Sequence, residues 1–100
     1  MDEDKLKKMS SQTLVCLVED ALEILWHRVG KAGPAYEYEK QEFDEAYRYT
    51  EKAGKELLRF EYQDDPAADR YHNFDDWLAE GADDKYWRRK RRRSLQQQQS

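Results

Sequence analysis

The densest chemical signal in the sequence is a run of six consecutive cations, Arg88-Arg89-Lys90-Arg91-Arg92-Arg93. Like charges at that spacing repel one another, so the run calls for anions close by. Phosphates suit it, because guanidinium groups fork onto phosphate oxygens while Trp87, with Tyr86 beside it, can stack on a base. Arg88, Arg89, Lys90, Arg91, Arg92, Arg93 and Trp87 are therefore the candidate nucleic-acid-binding residues, for RNA, DNA or an acidic protein partner. In a eukaryotic host the run would also serve as a nuclear localisation signal. The competing electrostatic option is that the cationic tail folds back and masks the rest of the chain.

The run also resembles the substrate pattern of basophilic protein kinases of the cyclic-AMP-dependent type, on Arg91, Arg92 and Ser94. That resemblance implies a phosphosite at Ser94, where added negative charge would weaken a neighbouring phosphate contact.

Paired carboxylates are the next signal. Glu39-x-x-Glu42 and, further on, Glu61-x-x-Asp64 have a form that resembles the metal-binding pattern of all-α nucleotide pyrophosphohydrolases of the MazG type. The resemblance implies Mg²⁺ held beside substrate phosphates by carboxylates from two packed helices. Here both halves fall within one predicted helix, too far apart to share an ion unless the chain turns back near Gly54. The other ingredients of catalysis are missing from the pattern. Cys16 sits in an apolar run and reads as buried and inert. His27 and His72 have neither a nearby cysteine nor a helical histidine partner, and there is no glycine-rich phosphate loop. The expectation is a non-enzymatic protein with no catalytic residue, no cofactor and no metal ligand.

Charge is distributed unevenly. Through residue 84 there are 22 acids against 11 bases, a net of −11, while residues 85–100 carry 7 bases and no acid, a net of +7. Charged residues make up 40% and apolar ones 38%, which favours helices with solvated faces over a deep interior. With 4 Gly and 2 Pro in 100 residues, there are too few turn signals for a many-stranded fold. Cys16 is the single cysteine, which excludes an internal disulfide. No apolar run is long enough to span a bilayer, and Met1–Lys8 is too polar for a signal peptide. A cytoplasmic protein is expected, nuclear if made in a eukaryotic cell, without membrane contact.

The elements that must carry these groups follow from periodicity. Residues 1–10 are charged and unpatterned and are expected to be disordered. A helix should open near Ser11 and run to about residue 30. Leu14, Leu17, Val18, Ala21, Leu22, Ile24, Leu25 and Val29 lie on one side, widened by Val15 and Trp26, and Glu19, Asp20, Glu23 and His27 on the other. That apolar sector spans about 200°, twice the stripe of an ordinary surface helix.

A second helix should start at Pro34 and end near residue 63, before Asp65-Pro66. It is longer than the first, roughly 42 Å against about 28 Å. Tyr36, Phe43, Ala46, Tyr47, Thr50, Gly54, Leu57 and Leu58 share its main face. Tyr38, Tyr49 and Phe60, spaced by elevens, stack along a neighbouring face. Gly54 costs about 1 kcal/mol of helix propensity relative to Ala, which fits a close crossing by another helix. Asn73 reads as the cap of a short helix whose Phe74, Trp77 and Leu78 would cover the far end of the second. Residues 82–93 predict a last helix, with Asp83 and Asp84 at its start, followed by a disordered LQQQQS tail.

The architecture so predicted is all-α. It is an antiparallel helical hairpin, about 11–30 and 34–63, with one or two short C-terminal helices, arranged as a 1–10 leader, an 11–81 body and an 82–100 basic segment. Two wide apolar faces exceed what a single copy can cover, so dimerisation into a helical bundle is expected. Tyr38, Tyr49, Phe60 and Trp26 are the candidate interface. A further option is a regulator or inhibitor of the viral or phage kind. It would dock an acidic, tyrosine-rich face on a host protein, with Glu37, Asp44, Glu45, Glu51 and Glu56 imitating a phosphate row.

Overall fold

The computed structural model describes residues 2–83 and 85–99, and within them every regular element is helical. The α-helices are α1 (Glu3–Lys7), α2 (Ser11–Ala32), α3 (Glu37–Asp64), α4 (Phe74–Glu80) and α5 (Lys85–Gln99). Single 3₁₀ turns at Pro34–Tyr36 and Ala68–Arg70 join them.

The leader is not structureless. Asp2 accepts from the backbone N–H of Asp4, and Lys7 reaches Glu3 at 3.3 Å across one turn. Acids in the first turn and bases in the last match the helix dipole, which steadies α1 despite its five residues.

Ser10, one residue before the expected start, caps α2 by accepting from the Thr13 N–H at 3.2 Å. The Ser11 hydroxyl donates instead to Glu61 at 2.7 Å, tying the first turn of α2 to the last turns of α3. Gly30 stays helical, and the helix stops at Gly33, whose φ of 113° is open to glycine and strained for other residues. At that end the Lys40 side chain from the start of α3 lies along Gly30 and over Trp26. In the second turn of α2, Val15 packs on Gly54 so closely that a Cβ there would stand 2.9 Å from Val15 Cγ1. α3 runs through this point unbroken.

The buried apolar cluster sits at the far end of α3. Leu58, Trp77 and Leu78 form it, with Tyr62, Phe74 and Leu95 packed around them. The Tyr62 ring stacks on both Phe74 and Trp77 at 5.3 Å between centroids. Asn73 caps α4 through the Asp76 N–H at 2.9 Å. Asp83 fastens the following turn to α2: its N–H donates to Thr13 Oγ1 at 2.8 Å, and its carboxylate accepts from the Ser10 N–H at 2.6 Å.

Two further expectations need correction. The last helix begins at Lys85 and continues through the tail to Gln99, because Leu95 has the Leu58–Trp77–Leu78 cluster to pack against. Asp84 and Ser100 lie outside the described residues. The second correction concerns α2. Its face bearing Glu19 and Asp20, expected in solvent, receives α5, while Val18, Ile24 and Leu25 of the apolar sector remain exposed.

Candidate interaction surfaces

α5 distributes its cations between two roles. Lys90 pairs with Asp20, Arg91 with Glu19 at 3.6 Å and Arg92 with Glu80. Arg88 Nε donates to the Ala82 carbonyl at 2.8 Å. Glu19 and Arg91 are only 6% and 8% exposed. Burial raises the Glu19 pKa, because desolvation of its carboxylate outweighs the attraction of Arg91. Burial likewise pushes the Cys16 thiol up and the Lys90 ammonium down. Arg89 and Arg93 stay on the outer side with Lys85 and Tyr86. Trp87 is half-buried, with Tyr86 edge-on at 4.9 Å and the Lys90 ammonium 5.9 Å above its ring. Ser94 is half-buried.

The seven residues singled out for nucleic acid therefore do not form one surface. Three cations bind the acidic body, and the face left outside is the strip Lys85, Arg89, Arg93, at one-turn spacing. What the sequence reading missed were the counterions Glu19, Asp20 and Glu80. Their signal was an acid pair, Glu19-Asp20, set inside the most apolar helix of a chain with a −11/+7 split.

The three rings spaced by elevens all point outward. Tyr38, Tyr49 and Phe60 are 69%, 74% and 62% exposed, and Leu57 flanks them in the open. The Glu42 carboxylate beside the Tyr38 hydroxyl raises that phenol's pKa. Trp26 stands apart from this row, half-buried between α2 and α3 with the Lys40 ammonium 4.3 Å from its ring centroid. The phosphate-like acidic row is interrupted: Asp44 is held by Arg48 at 3.1 Å, and Lys52 and Lys55 are exposed between Glu51 and Glu56.

Both carboxylate pairs lie on α3, about 33 Å apart from Glu39 to Glu61 at 1.5 Å per residue. Among the described residues no three His, Cys, Asp or Glu side chains come together in a way that could hold a metal ion. Nor is any described helix long and apolar enough to cross a membrane.

Comparison with protein-family models, with curated proteins and with solved structures gives no match, so the functional reading rests on this chain's own residues.

Proposed function

We propose that this protein is a non-enzymatic helical interaction protein, an antiparallel hairpin of α2 and α3 that pairs with a second copy along the outer face of α3. The observation that carries this reading is the exposure of Tyr38, Tyr49 and Phe60 in one row. Large rings left in water in such a row mark an interaction surface. Tyr38 and Phe60 are equidistant in sequence from Tyr49. A twofold axis through Tyr49 therefore lays Tyr38 of one copy on Phe60 of the other and Tyr49 on itself.

Charge agrees with that register. The exposed charges before Tyr49 on α3 are Glu37, Glu39, Glu42 and Glu45 against Arg48. Between Tyr49 and Phe60 they are Lys52, Lys55 and Arg59 against Glu51 and Glu56. Antiparallel pairing sets the acidic half against the half richer in cations, with Glu45 near Lys52.

Light scattering across a concentration series tests the reading. Dimer is expected in the parent and monomer with unchanged helicity in Tyr49→Lys. Glu45→Lys and Lys52→Glu should each weaken association, and their combination should restore it. A parent that stays monomeric at roughly millimolar concentration ends the proposal and leaves a heterologous partner, such as a host protein docked on the acidic, tyrosine-rich face, as the occupant.

A second reading has its own support in the outer strip of α5. Lys85, Arg89 and Arg93, with Tyr86 exposed beside them, suit a shallow contact with RNA, DNA or an acidic protein. Gel shifts in rising salt would show affinity falling steeply, and Arg89→Ser with Arg93→Ser would flatten that slope by roughly two.

A further inference from the structure

Beside the region where α5 rests on α2, a cleft of about 240 Å³ opens between α2 and α3, with no α5 residue in its lining. Its walls are Trp26, Phe43, Tyr47 and Leu22, and Glu23 and Asp44 stand among them. Helical spacing explains the grouping. Glu23 and Trp26 are three apart on α2, Phe43 and Tyr47 four apart on α3, so each pair shares one face. His27 closes a side by resting edge-on against Trp26 at 4.9 Å between centroids.

Aromatic faces are negative, and so are the two carboxylates, which makes this open cleft favourable to positive charge. The structure already seats an ammonium on the same indole, that of Lys40 at 4.3 Å. Tyr47, at the α3 side, is held above the ordinary phenol pKa chiefly by burial, with Glu19, Glu51 and Glu23 adding to the rise and Arg91 opposing it. The type of cation follows from the acceptors available. Asp44 is engaged by Arg48 at 3.1 Å, while Glu23 has no ion-pair partner among the described residues. A primary ammonium brings three N–H donors and a guanidinium five, and beside the exposed Glu23 these stay hydrated and draw the charge away from the aromatic faces. A trimethylammonium group brings none and turns methyl groups to the rings.

We infer that the cleft between α2 and α3, walled by Trp26, Phe43 and Tyr47 and neutralised by Glu23, binds a small quaternary ammonium molecule of the choline class. This goes beyond the pairing role proposed for the outer face of α3 and does not depend on it.

NMR titration of the ¹⁵N-labelled protein with choline chloride, against sodium chloride at equal ionic strength, tests the inference. A saturable shift of the Trp26 indole N–H with a Kd of roughly millimolar order is expected, while the Trp77 and Trp87 indoles stay in place. Dimethylbutanol, the uncharged isostere of choline, should bind at least about fivefold more weakly. Glu23→Gln, at an exposed site, should weaken choline about threefold, and Trp26→Leu by about tenfold. Lys40→Met should tighten it, since a resident cation no longer opposes the incoming one. Equal binding of dimethylbutanol would reduce the cleft to an apolar hollow and overturn the proposal. So would tighter binding of methylammonium or arginine than of choline, or Glu23→Gln binding like the parent. A shift that fails to saturate has the same consequence.

Discussion

The Nη2 of Arg91 lies 3.6 Å from Oε1 of Glu19, both side chains almost wholly buried and neither of these two atoms hydrogen-bonded. At this contact the attraction is that of charge, and the desolvation of Glu19 Oε1, Arg91 Nε and Arg91 Nη2 is not offset by hydrogen bonds. Removing one member leaves the other stranded. Arg91→Met should cost about 3 kcal/mol in urea unfolding, while Glu19→Leu with Arg91→Met should match or exceed the parent.

The same pair sets a pH response. Because the folded protein holds the Glu19 proton more tightly than the unfolded chain, its contribution to stability falls as pH rises through the folded pKa. It grows on acidification down towards the ordinary value of 4.5 and then levels. The Glu19→Leu, Arg91→Met double variant should lose this part of the profile, read as unfolding midpoints across that interval.

Gly54 is held by Val15, and the contact gives a prediction with two opposing terms. Alanine at 54 gains about 1 kcal/mol of helix propensity, yet its Cβ would stand 2.9 Å from Val15 Cγ1. Crowding of this kind costs about 1–3 kcal/mol in a packed interface, so Gly54→Ala should be neutral to destabilising. Combined with Val15→Ala, which relieves the crowding, it should be more stable than Val15→Ala alone. Thermal melts of the four proteins in the cycle decide the matter.

Much of this fold was legible because local chemistry and tertiary packing agree. Asn73 caps α4, Gly54 marks a helix crossing, and Phe74, Trp77 and Leu78 cover the end of α3 as their spacing implies. The misreadings share one cause. Glu19 was placed in solvent by the pattern of its own helix, and only α5, more than sixty residues away in the chain, supplies the cation that lets it be buried. Leu95 extends α5 for the same kind of reason, since a single apolar residue in a polar tail gains meaning from a distant cluster. The exposed row Tyr38, Tyr49 and Phe60 could be placed on one face from spacing, because it needs no tertiary partner within the chain to be recognised.

Trp77 Nε1 donates to Asp65 Oδ2 at 2.8 Å, and the other oxygen of that carboxylate accepts from the Ala67 N–H at 2.9 Å. Both bonds favour the ionised form, the indole more than the amide, and hold the Asp65 pKa below its ordinary 3.8. A depressed carboxyl pKa stabilises the fold above the unfolded value and loses that contribution as pH falls through the folded one. Acidification below 3.8 should therefore release the Trp77 indole and shift its emission to the red, with α4 loosening from Tyr62. Asp65→Asn should show the shifted emission at neutral pH and a flatter acid profile.

Five cations of α5, from Arg89 to Arg93, should sort into three grades when each is replaced by Gln. Arg89 and Arg93 are exposed and lie outside the ion pairs, so their loss should change stability by no more than about 0.5 kcal/mol. Lys90 and Arg92 pair with Asp20 and Glu80 at partly exposed sites, the second more open than the first. Solvent screening limits each to about 1 kcal/mol, and added salt should erase part of it. Arg91 is buried, so its loss should be the largest and the least sensitive to salt. Urea midpoints at low and high salt give the order directly. Equal small losses at all five positions would mean that α5 is not held by these pairs at all, and the whole cationic run would then be open to an outside partner.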